Sequence, residues 1–189
     1  MRIYYSGKYS GTREDSHRLL AQAMDRYLAE EIPNSTVSAE ELLPSLKTGP
    51  KGKPYVPEFP PFSISHTGEL WAVLIDTEEC GLDVQEVKTV NSTKMLAMRF
   101  YTIDESAAVC ARGDGAFFRL WARREAFRKA KGESVFSEEE SVLFDRVNDD
   151  GKIWSVKDIE LPFPVYAAIC TSAEREEIRG SEELIIEAL

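Results

Sequence analysis

The sequence is short of histidine and cysteine, with two and three respectively in 189 residues. With only His17 and His66 present, histidine-rich metal sites are excluded. Cys80, Cys110 and Cys170 are odd in number, widely spaced and outside any C-x-x-C arrangement. That pattern suggests neither a disulfide framework nor a zinc cage, and reduced thiols in a cytoplasmic protein are the simplest expectation. No apolar run approaches the length of a membrane span, and residues 1–5 lack the apolar core of a secretory signal, so no membrane partner is expected. Positive charge is scarce too. Against 33 Asp and Glu stand 23 Lys and Arg, for a net charge of -10, the wrong sign for gripping a nucleic-acid backbone. What is present, 43% apolar and 30% charged residues, is an ordinary globular composition with enough chain for one core or two small lobes.

The few cations are gathered together. Arg112, Arg119, Arg123, Arg124, Arg128, Lys129 and Lys131 lie in one segment with only Asp114 and Glu125, so residues 112–131 carry +5 and the remainder -15. A local anion site in an acidic protein follows as an expectation.

The chain is organised around residues 62–85. Three apolar, β-branched or aromatic runs, 62–65, 71–75 and 82–84, are separated by Thr67-Gly68-Glu69 and Thr77-Glu78-Glu79, which reads as a meander of three strands. Alternation puts Phe62, Ile64 and His66 on one face of the first strand, and sets Leu82 and Val84 against Asp83 and Gln85 in the third. Asp83 sits between residues that want to be inside, a poor place for a carboxylate unless something binds it.

Around this centre, 2–5 reads as an opening strand. Thr12 to Asp15 has the spacing of a helix start for the stripe Leu19, Leu20, Ala23, Met24, Tyr27 and Leu28. A short helix is expected after Ser38. Two glycines and five prolines make 47–61 a rigid extended loop that delivers Gly52, Lys53 and Pro54 beside the strand ending in His66. In the second half the spacing predicts helices over 94–100 and from Thr102 through Val109, a loop over 111–115, and a strong helix over 116–131 stopped by Gly132. Strands over 142–147, 153–156 and 166–171 follow, with a hairpin at 148–151, and the acidic tail from 174 adds a last strand or helix. Helix followed by strands occurs in both halves, and 166–170 echoes 71–75, the pattern of an internal duplication.

On the 116–131 helix, at about 100° per residue, Glu125 and Lys129 lie about 40° apart on one face, bracketed by Phe118, Trp121 and Ala122. As an ordinary surface i,i+4 pair they would contribute about 0.2–0.5 kcal/mol. The aromatic bracket instead aims them toward the interior. There Glu125 could meet Asp83 across a cleft, and two converging carboxylates suit Mg²⁺.

Taken together, Gly52-Lys53-Pro54, the segment from Phe62 to Thr67, Gly81-Leu82-Asp83-Val84 and the segment from Trp121 to Gly132 resemble the 4′-phosphopantetheinyl transferase superfamily, in its two-lobed, surfactin-synthetase-activating branch. Asp15-Ser16-His17-Arg18 precedes them in the matching order. The resemblance implies an α+β fold of two similar α/β lobes related by a pseudo-twofold duplication. Each lobe, residues 1–87 and 88–189, would be a small, mainly antiparallel sheet packed against a long helix, with coenzyme A between them. It further implies Mg²⁺-dependent transfer of 4′-phosphopantetheine from coenzyme A to a serine of an apo acyl or peptidyl carrier protein, releasing 3′,5′-ADP.

Carried over by position, Asp83 and Glu125 resemble the metal ligands, with Glu125 also the catalytic base. Lys129 resembles the diphosphate-binding lysine and Arg124 the basic position beside it. Ser65 falls near the diphosphate, His66 and Arg18 at the 3′-phosphate, and Gly52, Lys53 and Pro54 at adenine. Two departures stand out. Gln85 occupies the position of a frequent third acid, so an amide oxygen or water would complete the metal's shell, Glu86 pointing to the other strand face. Ahead of Asp15, basic groups that other members of that family place there are missing or replaced by Lys8 and Arg13. These departures motivate an alternative, a non-catalytic homologue that binds coenzyme A or a carrier, and a Mg²⁺-dependent phosphohydrolase is a third. Since each lobe supplies half the cleft, a monomer is expected.

Overall fold

A computed structural model of the chain describes residues 1–90, 92–132, 140–174 and 184–189. Two four-stranded sheets carry the fold. The first holds β1 (Arg2–Ser6), β4 (Phe62–Thr67), β5 (Leu70–Ile75) and β10 (Ile185–Ala188) in the order β10-β1-β5-β4. The second holds β6 (Cys80–Glu86), β7 (Arg146–Asp149), β8 (Lys152–Ile159) and β9 (Val165–Ser172) in the order β6-β9-β8-β7. Each sheet is flanked by helices, consistent with a duplicated α/β architecture. The two stretches that echo each other fall on β5 and β9, both interior strands of their sheets.

Helix α1 (Arg13–Glu31) covers the first sheet. The Thr12 hydroxyl caps it by accepting from the Asp15 amide, and Leu19, Leu20, Ala23, Met24, Tyr27 and Leu28 pack against Tyr4, Phe62, Trp71, Val73 and Ile75. The Trp71 indole N–H donates to Ser16 Oγ at 2.9 Å and pins the start of α1 over β5. Helix α5 (Asp114–Lys131) covers the second sheet, where Phe118, Phe127 and Ala130 share a core with Val147, Trp154, Val156 and Cys170. It ends at Gly132, in the left-handed conformation at φ +65°, which glycine adopts without steric cost. The inner faces of the two sheets meet through Ile3, Leu70, Ala72 and Leu74 on one side and Leu82, Val84, Ala167 and Ile169 on the other. β5 is therefore buried on both faces, which is why it reads as an unbroken apolar run rather than an alternation.

Several expectations are corrected. The three central strands do not form one meander: β4 and β5 pair, whereas β6 crosses to the second sheet and pairs with β9. Its outer face, Gly81, Asp83 and Gln85, needs α5 as cover, and α5 belongs to the second sheet. Gly81 makes this possible, because a Cβ there would overlap the Ala126 carbonyl oxygen and fall 2.6 Å from the Ala130 amide nitrogen. Residues 47–61 are not a simple extended loop but contain a ribbon, β2 (Lys47–Thr48) with β3 (Pro54–Tyr55).

A short helix, α2 (Ala39–Leu42), follows Ser38 as expected, and α3 (Thr93–Phe100) and α4 (Ile103–Arg112) take the expected places. The loop expected over 111–115 shrinks to Gly113, at φ +79°, between α4 and α5. The strand expected from 142 begins only at Arg146, because the Val142 amide donates to Glu105 Oε1 rather than to a ladder. The hairpin stands at Asp150-Gly151, both at positive φ as a type I′ turn requires. The tail supplies β10, which pairs parallel with β1, from Arg2 opposite Ile185 to Tyr5 opposite Ala188. Residues 175–183 of that tail lie outside the described residues. Among the described residues no helix is long and apolar enough to cross a membrane.

Candidate functional site

The candidate site lies where the edges of the two sheets meet, along β4 and β6. These strands run side by side joined by side chains: the Leu82 amide donates to Ser63 Oγ at 3.0 Å and the Val84 amide to Ser65 Oγ at 3.2 Å. The constant offset of the two contacts shows that the strands run parallel. Thr67 continues the row of hydroxyls, but its Oγ1 is buried without a hydrogen-bond partner among the described residues, so the stitching stops there.

Lys129 bolts the same seam from α5. Its ammonium donates to the Ile64 carbonyl at 3.2 Å, the Leu82 carbonyl at 3.0 Å and Asp83 Oδ1 at 2.7 Å. All three of its protons are thereby used, two on backbone and one on a carboxylate.

Asp83, the carboxylate expected to need a partner, has three. Besides Lys129, the Ser65 hydroxyl donates to Oδ1 at 2.8 Å and the Gln85 side-chain N–H donates to Oδ2 at 2.8 Å. Only 3% of the residue is exposed, so these contacts hold a charge that burial alone would expel. Glu125 stands one helical turn before Lys129 and pairs with Arg128, Nη1 to Oε1 at 3.8 Å. Burial raises its pKa above the ordinary carboxylate value, and the Asp83 charge adds to that against the opposing pull of Lys129 and Arg128. The ion pairs thus run from Lys129 to Asp83 on β6 and from Arg128 to Glu125 one turn along α5, in place of a Glu125–Lys129 pair.

The other expected residues divide into those at this seam and those elsewhere. His66, the last residue but one of β4, lies 5.0 Å from the Tyr9 ring, and burial followed by the Lys129 charge lowers its pKa against the pull of Asp83. It pairs in register with Trp71, whose indole holds the first turn of α1, so the N-terminus of α1 and His66 share one end of the sheet. There Arg18, 54% exposed in its side chain, is engaged by Asp15 and Gln22. Gly52 turns the ribbon at φ +94°. Lys53 reaches back under it to donate to the Cys80 carbonyl at 2.8 Å, its pKa lowered by burial, and Pro54 opens β3. Glu86 faces away from Asp83, as expected, with its carboxylate beside Gly68.

Arg124 is not brought to the seam. It is buried against α4, its Nε donating to Glu105 Oε2 at 3.0 Å and its Nη2 to the same oxygen, with its guanidinium 5.4 Å from the Tyr101 ring centre. Three other cations of the +5 segment are also spent on acids. Arg119 pairs with Asp158, Arg123 with Asp145 and Asp158, and Lys131 with Asp149. This segment neutralises neighbouring acids more than it presents a bare basic surface.

Among the described residues no group of three or more His, Cys, Asp or Glu side chains gathers as a metal cage. What the seam does offer is Asp83 and Glu125, two carboxylates, with the Gln85 amide beside them and an internal ammonium resting on Asp83. Sequence reading passed over the roles of Ser63 and of Gly81. Hydroxyls on alternate residues, opposite the apolar face of β4, are the signal for the first, and small residues at 126 and 130 facing Gly81 are the signal for the second.

This geometry can be set beside known proteins. No protein-family model matches the chain. It is 28% identical over 187 residues to the 4′-phosphopantetheinyl transferase psf-1 of Bacillus pumilus, covering 88% of this chain and 77% of that protein. It is 28% identical over 160 residues to the 4′-phosphopantetheinyl transferase Sfp of Bacillus subtilis, covering 79% and 65%. This chain is homologous to 4′-phosphopantetheinyl transferases. The similarity extends to the transferase AcpT of Escherichia coli, at 33% over 101 residues, half of this chain and 52% of that protein. The transferases matched are thus of more than one kind, and the homology does not single out the two-lobed branch. The chain spans about two thirds of the length of Sfp and about half that of AcpT.

Proposed function

We propose that this chain transfers the 4′-phosphopantetheine group of coenzyme A to a serine hydroxyl of an apo acyl or peptidyl carrier protein, releasing 3′,5′-ADP, and that it does so in the manner of the two-lobed transferases. The observation that carries the reading is the meeting of Asp83 from β6 with Lys129 from α5, beside Glu125, at the seam of two sheets in a homologue of such transferases.

The donor set suits a hard cation: two carboxylates and an amide are oxygen ligands, and Asp83 already holds a cation in the form of the Lys129 ammonium. Asp83 and Glu125 would hold Mg²⁺, with Gln85 beside them. Bound there, Mg²⁺ supplies charge neutralisation on the diphosphate. Glu125, its pKa raised by burial and by Asp83, is suited to take the proton of the attacking serine hydroxyl, directly or through water. Lys129 keeps its two carbonyl contacts while exchanging Asp83 for a phosphate oxygen, which offsets charge on the departing 3′,5′-ADP. His66 and Arg18 would receive the 3′-phosphate at the end of the sheet that they share. Gly52, Lys53 and Pro54 would pack on adenine through the turn of the ribbon. Arg124 has no part in this scheme, being committed to Glu105.

The test is incubation with Mg²⁺, coenzyme A and apo carrier proteins, read as the intact mass of the carrier. Gain of one phosphopantetheine is the expected result. No gain with several carriers, alongside retained coenzyme A binding, would instead favour a non-catalytic binder, the reading that Gln85 in place of an acid motivates.

A further inference from the structure

Asp83 is the only carboxylate at the seam among the described residues to receive donors from three separate side chains, and one of them comes from its own strand two residues on. A carboxylate offers acceptors alone, so the group of Gln85 that meets Oδ2 at 2.8 Å is the amide N–H, which leaves the amide oxygen on the far side of Cδ. Ser65 and Lys129 both act on Oδ1. Among the described residues Gln85 is thus the one donor to the second oxygen, and it sets the rotation of the carboxylate about its Cβ–Cγ bond. A glutamate at this position could not serve in that way: it would put a second negative oxygen at hydrogen-bond distance from Asp83.

We propose that Gln85 is a positioning residue for Asp83, its amide N–H fixing the second carboxylate oxygen so that the site works with two acids rather than three. The proposal rests on the transferase reading for its purpose, though the contact itself does not. Position 85 acts on Asp83 first and faces a cation only through the amide oxygen. The two donors from β4 and α5 hold Asp83 to the seam, while Gln85 orients it within the seam.

Two variants separate this from a bare ligand or a structural role. Gln85→Met keeps the length of the side chain and removes the donor. Gln85→Glu keeps the shape and reverses the character of the group. Thermal melting of the metal-free protein and Mn²⁺ titration followed by water-proton relaxation are the readouts. Gln85→Glu should melt several degrees below the parent without metal and recover when Mn²⁺ is added. Gln85→Met should bind Mn²⁺ about tenfold more weakly than the parent. A Gln85→Glu protein that melts with the parent in the absence of metal overturns the proposal, as does a Gln85→Met protein that binds Mn²⁺ as tightly as the parent. The metal-free melting arm needs no cation and no carrier, so it decides the Gln85 contact even where the parent modifies no carrier, a result that would count against the transferase reading instead.

Discussion

Arg124 and Lys129 stand five residues apart on α5 and each delivers a cation to a carboxylate, yet the two pairs are built for different purposes. Arg124 meets Glu105 in the interior of the second sheet's core, with Glu105 fully buried. Every oxygen there is matched: Oε2 takes two guanidinium N–H groups and the Thr102 amide, and Oε1 takes the Val142 amide. That cluster ties α4, α5 and the segment before β7 together, with both side chains buried. Lys129 meets Asp83 at the edge where two sheets abut, with 29% of its side chain exposed and a second carboxylate, Glu125, close enough to feel the Asp83 charge. One pair closes on itself. The other brings a second carboxylate within reach of the Asp83 charge, beside a seam whose stitching ends at Thr67.

The contrast can be broken most severely at Gly81, which allows α5 to lie against β6 and so brings Lys129 to Asp83 at all. Gly81→Ala sets a Cβ against backbone atoms of Ala126 and Ala130 that have no side-chain freedom to yield. A loss of about 4 kcal/mol or more is expected, read by denaturant unfolding, because the helix must shift as a body. Melting equal to that of the parent would mean the helix packs further from β6 than described.

Next in size is the closed pair. Arg124→Met leaves Glu105 buried with one partner set removed, and about 3–5 kcal/mol should be lost. Transfer to a carrier, measured where the variant remains folded, should stay close to that of the parent. A well-folded Arg124→Met protein without transfer would restore this arginine to the diphosphate, the place that family resemblance implies for it.

The open pair should respond in the reverse proportion. Asp83→Asn keeps the shape of the residue and leaves Lys129 its two carbonyl acceptors, so about 1–3 kcal/mol of stability is at stake. Transfer, however, should fall on the order of a hundredfold or more, because the charge that positions the cation and the lysine is gone. Retained transfer in this variant would remove residue 83 from the chemistry.

Much of this contrast was readable from the sequence, and the rest was hidden for identifiable reasons. Asp83 declared itself as a carboxylate between Leu82 and Val84, and the Glu125 and Lys129 pair declared itself by lying among aromatic residues. Helices α1 and α5 were legible through their apolar stripes and their stops. Alternation, however, says which face a residue takes and not which sheet its strand joins, so the crossing of β6 and the serine stitches to β4 were not visible. Arg124 is instructive: five residues at about 100° each place it about 140° around the helix from Lys129, so helical geometry alone separates the two cations. The resemblance to a family placed Arg124 beside Lys129 because it carries roles over by position in the sequence and not by helix face. Gln85 was read as a weakened metal ligand, since only coordinates show that its amide turns first to Asp83.

The smallest expected effect has the opposite sign from the others, and it tests whether burial and Asp83 act on Glu125 beside the open pair. Burial and the neighbouring Asp83 raise the pKa of Glu125 in the folded chain above its value in the unfolded chain. A group shifted upward in this way binds its proton more tightly when folded, so it favours the fold below the unfolded value, about 4.3, and that contribution is lost as pH rises through the folded value. At neutral pH the ionised Glu125 is therefore a cost to the metal-free protein. Glu125→Gln removes the cost, so the variant should be the more stable of the two at pH 7 and the difference should close below about pH 4, as measured by denaturant unfolding at a series of pH values. Transfer should be lost in the same variant, since an amide can neither take the serine proton nor lend a negative charge. Parallel stability curves for the two proteins across this range would mean that Glu125 ionises as freely as a surface acid, and the difference drawn between the seam and the closed Glu105 pair would then rest on Asp83 alone.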